Sequence, residues 1–236
     1  MAFLRCGWVL PLLMLVPFKA MAESTPAQFG KYAERFAKMI KLPASPPFET
    51  ASFQCTGWAR GGFLRPVSCD GHRAWEVAVV NDLIHRRIRV VAAEARGRKQ
   101  TTWMQFTVNV ERTEAGDEIS LVPNHGHSIA ELGEHYVSPQ RYESNRATYH
   151  RVCPTGYDVR VSGLVKLDGR IADTQVTRSE MPESCNEAIL DYLRTSEFIP
   201  AHLNGEAVEA VLVDRFMQVT GHARRTDPDR MGSSQQ

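Results

Sequence analysis

Charge of one sign is what this chain has little of: 28 Lys and Arg stand against 27 Asp and Glu, leaving a formal net charge of +1. A surface so near neutral lacks the basic excess that binds phosphate backbones, so no nucleic-acid partner is expected. Cysteine is also scarce, five in 236 residues, and no two of them form the C-x-x-C pair that usually announces zinc. The run from Gly7 to Phe18 is shorter than the roughly 18 to 20 apolar residues that span a bilayer, and Pro11 and Pro17 interrupt it. Catalytic signatures are missing too. There is no G-x-S-x-G elbow and no Cys/His arrangement with a free thiol, and Gly57 to Gly62 lacks the lysine and following helix of a phosphate loop. Neither an enzyme nor a cofactor is expected.

What is present at the start is Arg5, the short apolar run, and Ala20-Met21-Ala22 in the small-x-small order of a cleavage site. Residues 1–22 read as a secretory signal peptide, with an uncleaved anchor as the rival reading. Cys6 precedes the apolar run and so is no lipoprotein acceptor. Residues 23–52 hold an amphipathic stripe, with Phe29, Tyr32, Phe36 and Ile40 on one face, and then the stiff Leu42-Pro43-Ala44-Ser45-Pro46-Pro47 linker. Docking of that helix on its own domain is the ordinary use of such a stripe.

The most regular stretch is Tyr157 to Val219. Val159, Val161, Val165 and Leu167 alternate with polar residues, Asp168-Gly169 follows as a two-residue turn, and a second strand runs from Arg170 to Thr177. Ser184 and Glu187 have capping-box spacing, which predicts a helix starting near Cys185. Cys185, Ala188, Ile189, Tyr192 and Leu193 then form its apolar stripe. After Asn204-Gly205, Val208 to Val219 reads as a third strand. The predicted class is α+β: a ββαβ unit with one helix covering a small antiparallel sheet. Val161, Val165, Asp168, Gly169, Val176, Ala188, Arg194, Phe198, Pro200, Ala201, Gly205 and Phe216 occur in the order of a TonB family C-terminal domain, which the segment 156–221 resembles.

Residues 53–112 read as a diverged copy of that unit. Phe53 to Ala59 and Phe63 to Cys69 flank the Gly61-Gly62 turn, Trp75, Ala78, Val79 and Leu83 form a helical stripe, and Thr102 to Val110 alternates. Ala93 and Gly97 match Ala201 and Gly205, whereas Ala92 replaces Pro200. Residues 113–155 are polar and rich in turn signals, so they read as an irregular linker, and residues 222–236 as a disordered tail. The linker carries His125, His127 and His135, with His150 near its end; no Cys or carboxylate spacing completes a ligand set, so no metal is expected.

Four cysteines remain beyond the signal, an even number for an oxidising compartment. A hairpin centred on Gly62 puts Cys55 opposite Cys69, which leaves Cys153 for Cys185. The TonB resemblance implies a periplasmic module that pairs a sheet edge with a peptide segment of an envelope protein or outer-membrane receptor. The edge residues are expected to be Val208, Ala210, Val211, Leu212 and Val213, in a strand apolar on both faces. No membrane association is expected after cleavage, and the same edge would also accept a second copy. The alternatives are an energy transducer that keeps its N-terminus as an anchor, and a metal-binding or structural protein.

Overall fold

The computed structural model describes residues 24–42, 50–70, 74–84, 86–125, 132–133, 135–143 and 147–218. The expected signal peptide, the prolines of the linker, His127 and the tail lie outside the described residues. The sixteen strands among the described residues are short or medium in length, and the order along the chain explains how they meet. The first half contains β1 (Ser24–Thr25), a 3₁₀ turn at Gly30–Tyr32 leading into α1 (Ala33–Ala37), β2 (Thr50–Arg60), β3 (Phe63–Cys69), α2 (Ala74–Ile84), β4 (Ile88–Arg89), β5 (Glu94–Ala95), β6 (Arg98–Lys99), β7 (Thr102–Thr113) and β8 (Gly116–Val122). The second half contains β9 (Tyr136–Val137), β10 (Gln140–Tyr142), a 3₁₀ turn at Tyr149–Arg151, β11 (Asp158–Val165), β12 (Ile171–Ser179), α3 (Glu183–Thr195), β13 (Phe198–Ile199), β14 (Ala201–Leu203), β15 (Glu206–Val208) and β16 (Ala210–Met217). The class is mixed α+β, mostly antiparallel sheet with few helices.

The largest sheet runs β13-β10-β7-β2-β3-β4, with β8 on the far half of β7. Alternation along β2 and β7 turns Phe53, Cys55, Met104, Phe106 and Val108 to one face, where Phe29, Phe36, Val79 and Leu83 close over them. The amphipathic stripe near the start therefore docks on its own core: Phe29 lies edge-on to Phe106 with ring centroids 5.5 Å apart. Its helix is shorter than the stripe, a single 3₁₀ turn and five α-helical residues. In α2, Val79 and Leu83 are buried as expected, while Val80 is buried in place of Ala78, which faces solvent.

A second sheet, β12-β11-β16, is covered by α3 through Cys185, Ile189, Leu190, Tyr192 and Leu193. A third joins β15, β14 and β9, and a fourth joins β1, β5 and β6. The two halves are tied together by β10, whose Arg141 and Tyr142 pair with β7 while Gln140 and Arg141 pair with β13. The Gln140 side chain adds to this tie, accepting from the Ala27 N–H at 2.9 Å and donating to the Ala27 carbonyl at 2.6 Å.

Both expected disulfides form, Cys55–Cys69 and Cys153–Cys185. Arg60 pairs with Phe63 around Gly61 (φ 56°) and Gly62 (φ 81°), a two-residue turn. That register alone would leave the cysteines one residue out of step. Thr56 pairs with Ser68 but Gly57 with Pro66, so Val67 is an extra, bulged residue that restores Cys55 opposite Cys69.

Four expectations need correction. The β11–β12 loop has three residues: Lys166 and Arg170 pair, and the Gly169 N–H donates to the Lys166 carbonyl, a type I turn closed by glycine at φ 78°. α3 begins at Glu183, where the Pro182 carbonyl accepts from the Cys185 and Asn186 N–H groups, and it has no side-chain cap, because proline carries no side-chain acceptor and Ser184 falls inside the helix. The polar stretch after Thr113 is no irregular linker at its start, since β8 pairs with seven residues of β7 and packs Ile119 and Leu121 on the first core. The last strand is two strands: β15 folds back on β14 and β16 pairs with β11, so Val208 belongs to another sheet than Ala210 to Val213.

Gly169 and Gly205 both sit at positive φ, 78° and 88°. A Cβ at Gly169 would lie 2.5 Å from the Phe198 carbonyl oxygen, whereas at Gly205 nothing lies within 4 Å. Gly205→Ala should cost about 1–2 kcal/mol of left-handed strain, and Gly169→Ala distinctly more, because backbone must also move. Urea midpoints of the two variants check that ordering.

Candidate functional site

The period of two that buries Phe53 and Phe106 sends Gln54, Thr56 and Trp58 of β2, with Trp103, Gln105 and Thr107 of β7, to the opposite face of the sheet. β16 and the 3₁₀ turn at Tyr149–Arg151 stand across that face, and between them lies a cleft of about 530 Å³. Its size is that of a small-ligand or peptide side-chain site. Aromatic and charged side chains share its walls: Trp58 and Trp103 meet edge to face at 4.9 Å, and Tyr149 contacts Tyr157, Tyr192 and Phe216 at centroid distances of 5.9, 5.0 and 5.3 Å.

The floor carries an ion pair. Arg141 Nη2 donates to Asp214 Oδ2 at 3.3 Å, with side-chain exposures of 6% and 1%, so both charges have left water. Trp103 Nε1–H donates to Asp214 Oδ1 at 3.2 Å, and the Arg215 N–H donates to the same oxygen at 2.9 Å. The Arg141 guanidinium also lies over the Tyr192 and Phe216 rings at 5.0 and 4.8 Å, where their negative faces replace part of its hydration. Arg141 Nε is buried with no hydrogen-bond partner among the described residues. Asp214 is held at its carboxylate oxygens by groups from β7 and β10 and by its own backbone neighbour, which fixes β16 relative to the first sheet.

Along the cleft rim, Gln105 Nε2 donates to the Val213 carbonyl at 2.6 Å. Arg215 grips Asp158 through two bonds of 2.8 and 2.7 Å and reaches Asp70 at 3.4 Å. The Arg215 guanidinium holds the Asp158 carboxyl below the usual carboxylate range, with smaller help from Arg160 and Arg178. His150 Nδ1 lies 2.8 Å from the Tyr157 hydroxyl, and burial lowers this histidine.

The residues singled out from the sequence are only partly brought together. Val213 lines the cleft, Leu212 points into the second core, Ala210 packs in a third, small cluster with Tyr136 and Ala201, Val211 is 60% exposed, and Val208 pairs with Ala201 in a separate sheet. Two of the histidines share the cleft, His150 and His125, the latter 3.1 Å from the Cys55 carbonyl, whereas His135 lines a different cavity. Among the described residues no group of three or more His, Cys, Asp or Glu side chains could hold a metal ion. The disulfide residue Cys69 is flanked by Ser68 and Asp70 of the cleft wall, so the Cys55–Cys69 bridge stiffens that wall.

Arg141, Asp214, Trp58 and Trp103 were missed by the sequence reading. Asp214 left one readable signal, because alternation puts it on the same face as Leu212 and Phe216, where a charge requires a partner. Arg141 left none, lying in a polar stretch without periodicity. Comparison with family models, with curated proteins and with solved structures returns no match.

Asp214→Ala should cost about 3–5 kcal/mol, because it strands a buried guanidinium, whereas Arg141→Met combined with Asp214→Leu should recover most of that loss. Chemical denaturation of the three proteins measures it. Stability should also depend on pH. His202 is 7% exposed with Nδ1–H directed at the Gly205 carbonyl, and burial lowers it as it lowers His150. Both favour the neutral ring in the folded chain, so their contribution is complete above the ordinary histidine value of about 6.5 and is lost as the pH falls below it. Urea midpoints between pH 7.5 and 5 should decline, and His150→Gln with His202→Gln should flatten the decline.

Proposed function

We propose that this chain is a soluble periplasmic TonB-like binding module, made of two copies of one ββαβ unit, that takes an extended segment of an envelope protein along the free edge of β16. On this reading it is a binding protein and no enzyme. The observation that carries it is the state of that edge. Among the described strands β16 pairs only with β11, so alternate residues turn their N–H and C=O groups the other way. The Gln105 bond to the Val213 carbonyl and the Asp214 bond to the Arg215 N–H identify Val213 and Arg215 as outward-turned, and parity adds Val211. The upper part of the edge is met by the first sheet; the Val211–Val213 stretch, with the exposed Val211 side chain beside it, is where a further strand can add and run on into the aromatic cleft.

Support for two copies comes from matched backbone geometry. The order β3-β2-β7 recurs as β12-β11-β16. The Val90 N–H donates to the Gly62 carbonyl at 3.0 Å and the Phe198 N–H to the Gly169 carbonyl at 2.9 Å, so each hairpin turn holds the residue three before Ala93 or Ala201. Arg96-Gly97 and Asn204-Gly205 both turn at positive φ between short paired strands. Even the upstream segments correspond: Ser24 pairs with Ala95 and Gln28 with Val91, as Tyr136 pairs with Leu203 and Gln140 with Ile199.

A photo-crosslinking residue at Val211, used in periplasm, should label one linear segment of one envelope protein. A synthetic peptide of that segment should bind the purified chain and fail to bind Val213→Pro, which removes an outward donor, while circular dichroism of the variant stays unchanged. Equal binding by a folded Val213→Pro sinks the proposal.

A further inference from the structure

Arg160 is placed where its neighbours oppose it. On β11 it stands directly across from Arg178 of β12 and from Arg215 of β16, so three guanidiniums line up across the sheet. Like charges in directly opposed cross-strand positions repel. Arg215 is compensated by Asp158 and Asp70, two carboxylates against three cations. Among the described residues, Arg160 and Arg178 make no ion pair. Arg160 also borders two open spaces, the aromatic cleft and a second cavity of about 890 Å³ along the outer face of β2, β7 and β8. Asp158 acts on Arg160 less than on Arg215, so the Arg160 guanidinium, which borders both cavities and has no ion pair of its own among the described residues, presents its flat fork of donors to whatever enters.

Resting on the reading that the β16 edge takes an extended segment, we infer that this segment carries an Asp or Glu side chain that pairs with Arg160. A carboxylate matches the guanidinium fork with two parallel hydrogen bonds, and it relieves the repulsion within the row. The position follows from the cleft. A segment paired beside Val211 and running on into the aromatic cleft enters a space whose wall holds Arg215 and, one strand beyond it, Arg160.

The test is selection of displayed random 12-residue peptides on the immobilised full chain, repeated on Arg160→Glu and on Val213→Pro. Wild type should enrich peptides with Asp or Glu at one fixed position, and these should bind Arg160→Glu at least about tenfold more weakly. Arg160→Glu should itself enrich Lys or Arg at that position, and Arg160→Lys should retain part of the acidic preference. Because Arg160 is exposed and opposed by like charges, Arg160→Glu should unfold at the same urea concentration as wild type or higher, which separates lost binding from lost folding. Peptides that need the edge, losing binding to Val213→Pro, yet show no acidic position or bind Arg160→Glu equally, overturn this inference and leave the edge reading standing. Peptides indifferent to Val213→Pro, or no enrichment on wild type, overturn the edge reading and this inference with it.

Discussion

A charge pair removed from water between two sheets constrains everything else in this molecule. Arg141 and Asp214 come from strands 73 residues apart, and neither would tolerate its position without the other, since the attraction recovers the desolvation cost only when geometry is held closely. That geometry depends on β10, three residues pinned on one side by β7 and on the other by β13. Trp103 donates to Asp214 from the first sheet, and Tyr192 and Phe216 face the guanidinium from the second. The polar faces of the two halves are thereby locked at a fixed separation, and the cleft is the space that the lock leaves open.

The same lock decides what the last strand can do. Without the first half, β16 would expose a full apolar edge, the kind of surface that pairs with other copies of itself. Gln105 caps the Val213 carbonyl and the salt links of Arg215 to Asp158 and Asp70 close the far end, so only a short stretch near Val211 stays available. On the proposed two-copy reading, one unit became the cover that narrows the binding edge of the other. The disulfides serve this arrangement from both sides. Cys55–Cys69 holds the hairpin wall of the cleft, and Cys153–Cys185 ties the turn bearing Tyr149 and His150 to α3. Both bridges constrain the unfolded chain and so add stability that a small core of this kind needs.

Local chemistry was legible wherever a short-range rule applied. The Gly61-Gly62 turn, the alternation of β11 and the stripe Cys185–Ile189–Leu193 are each determined by backbone geometry and by period, whereas the Cys55–Cys69 pairing also needed the bulge at Val67, which neither rule supplies. The mixed α+β class follows from the same signals. What the chain could not reveal by itself are features whose cause lies far along it. β8 looked like linker because its pairing with β7 supplies the order that its composition does not. The break at Glu209 arises because neighbouring residues are claimed by different sheets. The site itself was decided by tertiary structure alone: Arg141 and Asp214 are each ordinary in sequence, and only their burial together, which long-range packing imposes, turns them into the floor of a cleft.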